Sequence, residues 1–303
     1  MCHDLDSAPP VPVATGAAVA ATSLVLGAAD GNRFRAFHTW PEIPTDRAIV
    51  ILPDVRGLHH FYEELALRFA EMGVEALAID YFGRTAGTGE RGDDFDHQPH
   101  VAQTTWAGIS ADIAAAAKFL RTGEGATGSA VPALARKPPH ALFAIGFCMG
   151  GRLAFLSSTL GLDMAGVIGF YGFPGGPARN DTPAPVDVVG EVKGGVLGIF
   201  GGADQAIPTQ VVQEFRDALS AAGADNEIVV EPDAPHSFFD RKAAEFAAQS
   251  DDAWSRVRRF IDARSGMTSG VPGDAHPAPR QARRAHVQEK RAGRAEGRRG
   301  RSR

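Results

Sequence analysis

A cysteine framed by glycines is the sharpest chemical signal in this chain. Gly146-Phe147-Cys148-Met149-Gly150-Gly151 follows directly on an apolar run at 141–145 and leads into a helical pattern. Strand, tight turn and helix in that order hold a nucleophile at the apex of a strained bend. The bend leaves space only for small residues two positions before and two after the apex, where Gly146 and Gly150 stand. The helix aims its N-terminus at the apex and favours negative charge there. Cys148 so placed suits attack on a carbonyl carbon, with an oxyanion forming beside it. A cysteine merely buried at a strand end would need none of these glycines.

A nucleophile of this kind needs a base, and the base needs an acid to orient it. Gly201-Gly202-Ala203-Asp204 follows the apolar run 195–200. Asp204 is thereby expected just past the carboxyl end of a strand, where open α/β sheets build their sites. His236, in Pro235-His236-Ser237-Phe238, is the one histidine of ten expected between the last strand and the last helix. Nucleophile, acid and histidine then follow in the chain order of α/β-hydrolases. Two backbone donors complete the expected set: the N–H of Met149, next to the nucleophile, and that of Val55, in the loop Pro53-Asp54-Val55-Arg56-Gly57. Thiolates attack activated esters well and amides poorly, so the chemistry points to small esters or lactones, hydrolysed through a thioester. Glutamine amidotransferases share a cysteine elbow but place Glu two residues after the histidine; Phe238 stands there. A general carboxylesterase or thioesterase of the same fold is the alternative enzyme. A non-catalytic ligand-binding protein would have no use for all three side chains.

The elements needed to position these residues are legible in the pattern. Apolar runs at 22–26 and 33–39 flank Asp30-Gly31, which favours a hairpin. Further runs at 48–52, 74–79, 141–147, 167–171, 195–200 and 227–230 read as strands. Residues 59–72, 101–121, 150–160, 209–222 and 243–263 read as helices, and 123–139 as a loop. Strands alternating with helices predict an α/β-hydrolase fold, a mostly parallel central sheet with helices on both faces. The predicted organisation is a flexible leader over 1–20, one catalytic domain over 21–264 and a disordered basic tail over 265–303.

The 303 residues carry a net charge of −5, divided unevenly. The tail holds ten Lys or Arg against Asp274, Glu289 and Glu296, so it is +7 and the body −12. A nucleic-acid contact is expected only through that tail. The two cysteines, Cys2 and Cys148, suggest no disulfide framework, so a cytoplasmic setting is expected. The alanine-rich stretch 17–29 follows Asp4 and Asp6 without a basic residue, which is the wrong lead for an export signal. No apolar run reaches the roughly 18 residues of a membrane span.

Taken together, Gly146–Gly151, Gly201–Asp204, Pro235–Phe238, the 51–57 segment, Tyr62-Glu63-Glu64-Leu65-Ala66 and 74–81 resemble the dienelactone hydrolase family over about 22–263. The resemblance implies a Cys148–His236–Asp204 triad that opens unsaturated lactones, with no metal or cofactor. It also implies a carboxylate contacting the resting thiol, the family's Glu, whose place Asp54 takes one methylene shorter. Arginines that hold a substrate carboxylate would be Arg84 and Arg241, the latter one residue further from the histidine than in the family's pattern. An anionic small-molecule substrate is within that implication, and Arg56 adds a cation beside the oxyanion loop.

Overall fold

The apolar runs of the sequence become the inner strands of one mixed sheet. A computed structural model of the chain describes residues 8–92, 94–127, 139–178 and 180–266. The tail expected from 265 lies outside the described residues from 267 on, as do Cys2 and the first residues of the leader. In chain order the strands are β1 (Val19–Gly27), β2 (Arg33–Pro41), β3 (Arg47–Leu52), β4 (Glu75–Ile79), β5 (Ala126–Thr127), β6 (Ala141–Phe147), β7 (Gly166–Phe170), β8 (Gly195–Gly201) and β9 (Asn226–Glu231). The α-helices are α1 (His60–Glu71), α2 (Gly83–Ala86), α3 (Gln98–Gln103), α4 (Trp106–Thr122), α5 (Met149–Ser157), α6 (Thr209–Ala221) and α7 (Ala247–Arg264).

Among the described residues the sheet order is β5-β1-β2-β4-β3-β6-β7-β8-β9. The six strands from β4 to β9 in that order run parallel, and the β1–β2 hairpin and β5 add antiparallel partners at one edge. β6, β7 and β8 are buried along their whole length, as strands covered on both faces must be. Adjacent residues of β2 show the two layers. Thr39 donates its hydroxyl to the Ala66 oxygen of α1 at 2.7 Å. The ring of His38, on the opposite face, meets Phe119 of α4 edge-on at 5.1 Å. α7 joins the α1 layer through Phe69 on Trp254, and α5 meets α6 through Phe155 on Phe215.

The short strand β5 lies within the stretch read as a loop, α5 ends at Ser157 rather than 160, and three further boundaries differ from the sequence reading. The helix expected over 101–121 is two, α3 and α4, broken at Thr104 and Thr105, both extended. Thr105 caps α4 by accepting the Gly108 N–H on its hydroxyl, a side-chain bond that competes with helix continuation. The last helix starts at Ala247 rather than 243, because residues 236–246 wind through tight turns behind the histidine. β1 begins inside the expected leader, Val11 is buried with the core, and the Ala14 N–H donates to Glu71 Oε2 at 2.9 Å.

Candidate active site

Cys148 joins β6 to α5 with φ 54° and ψ −113°. Non-glycine residues rarely adopt positive φ, which costs about 1–3 kcal/mol and persists only where packing imposes it. Here backbone meets backbone. A Cβ on Gly146 would lie 1.9 Å from the Gly150 oxygen, one on Gly150 2.0 Å from the Leu52 oxygen, and one on Gly151 2.6 Å from the Phe170 oxygen. Only glycine fits at these places, so β3, β6, β7 and α5 close tightly on the elbow. The Cys148 N–H donates to the Phe170 oxygen at 3.0 Å, and the residue stays partly exposed.

The loops after β8 and β9 are stitched together by their backbones. The Gly202 N–H donates to the Glu231 oxygen at 2.8 Å and the Ala203 N–H to the Ala234 oxygen at 2.9 Å. This brings His236 onto Asp204, with Nδ1 2.7 Å from Oδ2. The other carboxylate oxygen accepts the N–H groups of Ala206 at 2.8 Å and Ile207 at 3.2 Å, which fixes its rotation. A carboxylate only accepts, so Nδ1 carries a proton, and in the neutral ring Nε2 then holds the lone pair of a general base. The Asp204 side chain is 1% exposed and that of His236 23%, so the acid is shielded while the base reaches solvent. The imidazole packs on Tyr171 at 4.8 Å and Phe173 at 5.9 Å. Arg152 holds the Phe173 loop by donating to the carbonyls of Phe173, Gly175, Gly176 and Thr182.

The expected backbone donors stand at the same edge of the sheet. Met149 is the first residue of α5, so its N–H has no partner inside the helix. In the loop after β3, the Asp54 N–H goes to Tyr62 Oη at 2.9 Å, Arg56 N–H to Asp54 Oδ1 at 2.8 Å and Gly57 N–H to the Asp54 oxygen at 3.2 Å. Val55, between them, has no hydrogen-bond acceptor for its N–H among the described residues. Asp54 itself is fully buried, its Oδ2 4.0 Å from His59 Nε2. Tyr81 donates to the Pro53 oxygen at 2.8 Å. Its phenol is pushed well above the usual range by burial, and further by the charges of Asp54, Asp80 and Cys148. Asp54 and Cys148 are therefore within electrostatic reach of one hydroxyl.

Arg84, implied by the resemblance to hold a substrate carboxylate, meets two carboxylates of the chain itself. Its guanidinium lies between Asp112 Oδ2 and Asp30 Oδ2, each at 2.5 Å. The pairs tie the β1–β2 turn to α4, and both carboxylates are supplied by the protein itself. Arg241 is exposed, and its backbone N–H donates to Asp240 Oδ1.

The dienelactone hydrolase family model matches residues 34–265. The chain belongs to the dienelactone hydrolase family. Among its relatives, a protein of Escherichia coli O157:H7 provisionally named a carboxymethylenebutenolidase is 28% identical over 79% of this chain and 86% of its own. A similarly named protein of Saccharolobus solfataricus is 27% identical over 77% of this chain and 95% of its own. A solved structure from Klebsiella pneumoniae subsp. pneumoniae MGH 78578, provisionally named a dienelactone hydrolase, superposes with a TM-score of 0.68 at 25% identity. It covers 80% of this chain and 98% of that one. This dienelactone hydrolase family member has the α/β-hydrolase fold and is a carboxylic ester hydrolase acting on esters or lactones.

Sequence reasoning missed two residues of this dienelactone hydrolase fold's site. Tyr171, just past β7 and at φ 37°, donates its hydroxyl to Asp240 Oδ2 at 2.8 Å. Asp240 is 3% exposed. Burial pushes its carboxyl up to about 7, and the charge of Asp54 adds to the rise. The bonds from Arg241 N–H and Tyr171, and the charge of His236, hold it down. Asp240 lies four residues after His236 and Tyr171 at a strand's carboxyl end, which are the only signals the sequence offered. A groove of about 660 Å³ lined by Ala18, Ile43, Arg47 and Glu71 sits at the amino end of β3, the far end from Cys148. Among the described residues no three His, Cys, Asp or Glu side chains converge to hold a metal ion, and no helix is long and apolar enough to cross a membrane.

Proposed function

We propose that the protein hydrolyses small activated esters and lactones by acyl transfer to Cys148. His236 Nε2 takes the thiol proton as sulfur attacks the carbonyl carbon. The N–H groups of Met149 and Val55 hold the oxyanion. Its collapse breaks the C–O bond, and His236 returns the proton to the leaving alkoxide or enolate. In a lactone that leaving group remains tethered to the acyl chain. His236 then removes a proton from water, which attacks the thioester, and the acid departs as the thiol re-forms. Asp204 holds the imidazole tautomer throughout. Asp54 is the carboxylate nearest to the part played by the family's Glu, as a contact for the resting thiol.

The observation that carries this reading is the His236–Asp204 bond of 2.7 Å at the sheet edge where Cys148 is held in a strained elbow. The test is turnover of 4-nitrophenyl acetate by wild type and Cys148→Ala, with intact-mass detection of the acyl-enzyme. Wild type should show a one-acyl mass increase, and the variant should show neither adduct nor turnover above background. Undiminished turnover in Cys148→Ala would end the nucleophile assignment.

A further inference from the structure

The charges around the proposed nucleophile are arranged unusually for a site that would take an anion. Arg84, the cation implied for a substrate carboxylate, already lies between Asp30 and Asp112. Two buried carboxyls lie within electrostatic reach of each other instead. Asp54 comes from the loop after β3 and Asp240 from the turns after β9, and they interact electrostatically with each other. Asp240 bonds to Tyr171, whose ring packs at 4.8 Å on the His236 ring. The residue before Tyr171 supplies the carbonyl that anchors the Cys148 N–H. Among the groups facing Asp240 are Tyr171 beyond β7, Asp54 beyond β3, and His236 and the Arg241 N–H on its own segment. The Arg241 side chain is exposed.

We propose that this site selects uncharged esters and lactones, with Asp240 as the residue that turns carboxylate-bearing substrates away. The proposal rests on Cys148 being the nucleophile. An unpaired negative charge about 8–12 Å from a buried carboxylate loses about tenfold to thirtyfold in relative affinity at an effective dielectric near 20. Asp240 is uncharged in mild acid and ionises around pH 7, so the discrimination grows as pH rises. A carboxylate-bearing ester is already ionised well below that range, and Asp240→Asn separates the carboxyl's change of charge from any change at the neighbouring His236 imidazole.

The experiment compares kcat/KM for a neutral 4-nitrophenyl alkanoate and its ω-carboxyl counterpart at pH 6 and pH 8.5, after subtraction of uncatalysed hydrolysis. Wild type should prefer the neutral ester, with the preference rising about tenfold between the two pH values. Asp240→Asn should make the ratio insensitive to pH, and Arg84→Ala should leave the wild-type ratio as it is. A wild-type preference for the carboxylate ester, or a ratio that does not change with pH, overturns the proposal; that measurement needs no variant to fold. A ratio lowered by Arg84→Ala overturns it too, because that arginine would then be binding the anion. Cys148→Ala run alongside separates the two readings. Residual turnover there defeats the nucleophile, whereas a dead variant with a flat wild-type ratio defeats only the selectivity.

Discussion

Replacing Asp240 by Asn should stabilise the protein in a way that depends on pH. Asp240 rises from an ordinary value of 3.8 to about 7 on folding. Below pH 3.8 the side chain is neutral folded and unfolded. Between there and about pH 7 only the unfolded chain has ionised, so stability falls as pH rises; above pH 7 the loss is complete. Linkage puts that loss at about 2 kcal/mol at pH 5 and about 4 kcal/mol at pH 8, a difference of about 2–3 kcal/mol. Asn has the same shape and no charge in either state. Its Oδ1 can accept the Arg241 N–H, and its Nδ2 can donate to Tyr171 Oη. At about 2–4 °C per kcal/mol for a domain of this size, the variant's Tm advantage over wild type should grow by about 5–10 °C between pH 5 and pH 8. Thermal melts by circular dichroism at four pH values, supported by urea titrations at 25 °C, read this directly. Any constant offset from altered packing cancels in the comparison. A Tm difference that stays flat across the range means the carboxyl ionises alike in both states, and the argument from burial fails.

Two further outcomes follow from the site. Asp204→Asn keeps the side chain's size but removes the charge that orients and stabilises the His236 imidazolium, so kcat should fall by about 10³–10⁴ with little change in KM; steady-state kinetics on the neutral ester show whether it does. Gly150→Ala places a Cβ 2.0 Å from the Leu52 oxygen, a backbone contact that no rotamer relieves, and should destabilise the fold by about 3 kcal/mol or more. A urea midpoint equal to wild type would show that β3 and α5 separate more readily than their packing implies.

The elbow was legible in the chain because its rule is local. A strained apex needs small neighbours at fixed offsets, and Gly146, Gly150 and Gly151 announce it without reference to any distant residue. The strands β3, β6, β7 and β8 were legible for the same kind of reason, since burial on both faces requires short uninterrupted apolar runs. Asp204 and His236 could be named because each follows a strand that the parallel topology must end at one edge. The break at Thr104 and Thr105 was hidden because two β-branched residues within a helical pattern forbid nothing by themselves.

What the tertiary structure alone decided is where the charges went. Arg84 is a loop arginine after a strand, and nothing local shows that Asp30 and Asp112, 54 and 28 residues away, will close on it. Tyr171 and Asp240 are 69 residues apart and carry no spacing signal, yet the ends of β7 and β9 bring them within 2.8 Å. Local sterics act over a few residues and so leave a trace in sequence. Electrostatic pairing and burial act through space, and only the packed sheet sets which groups meet and which of them lose their water.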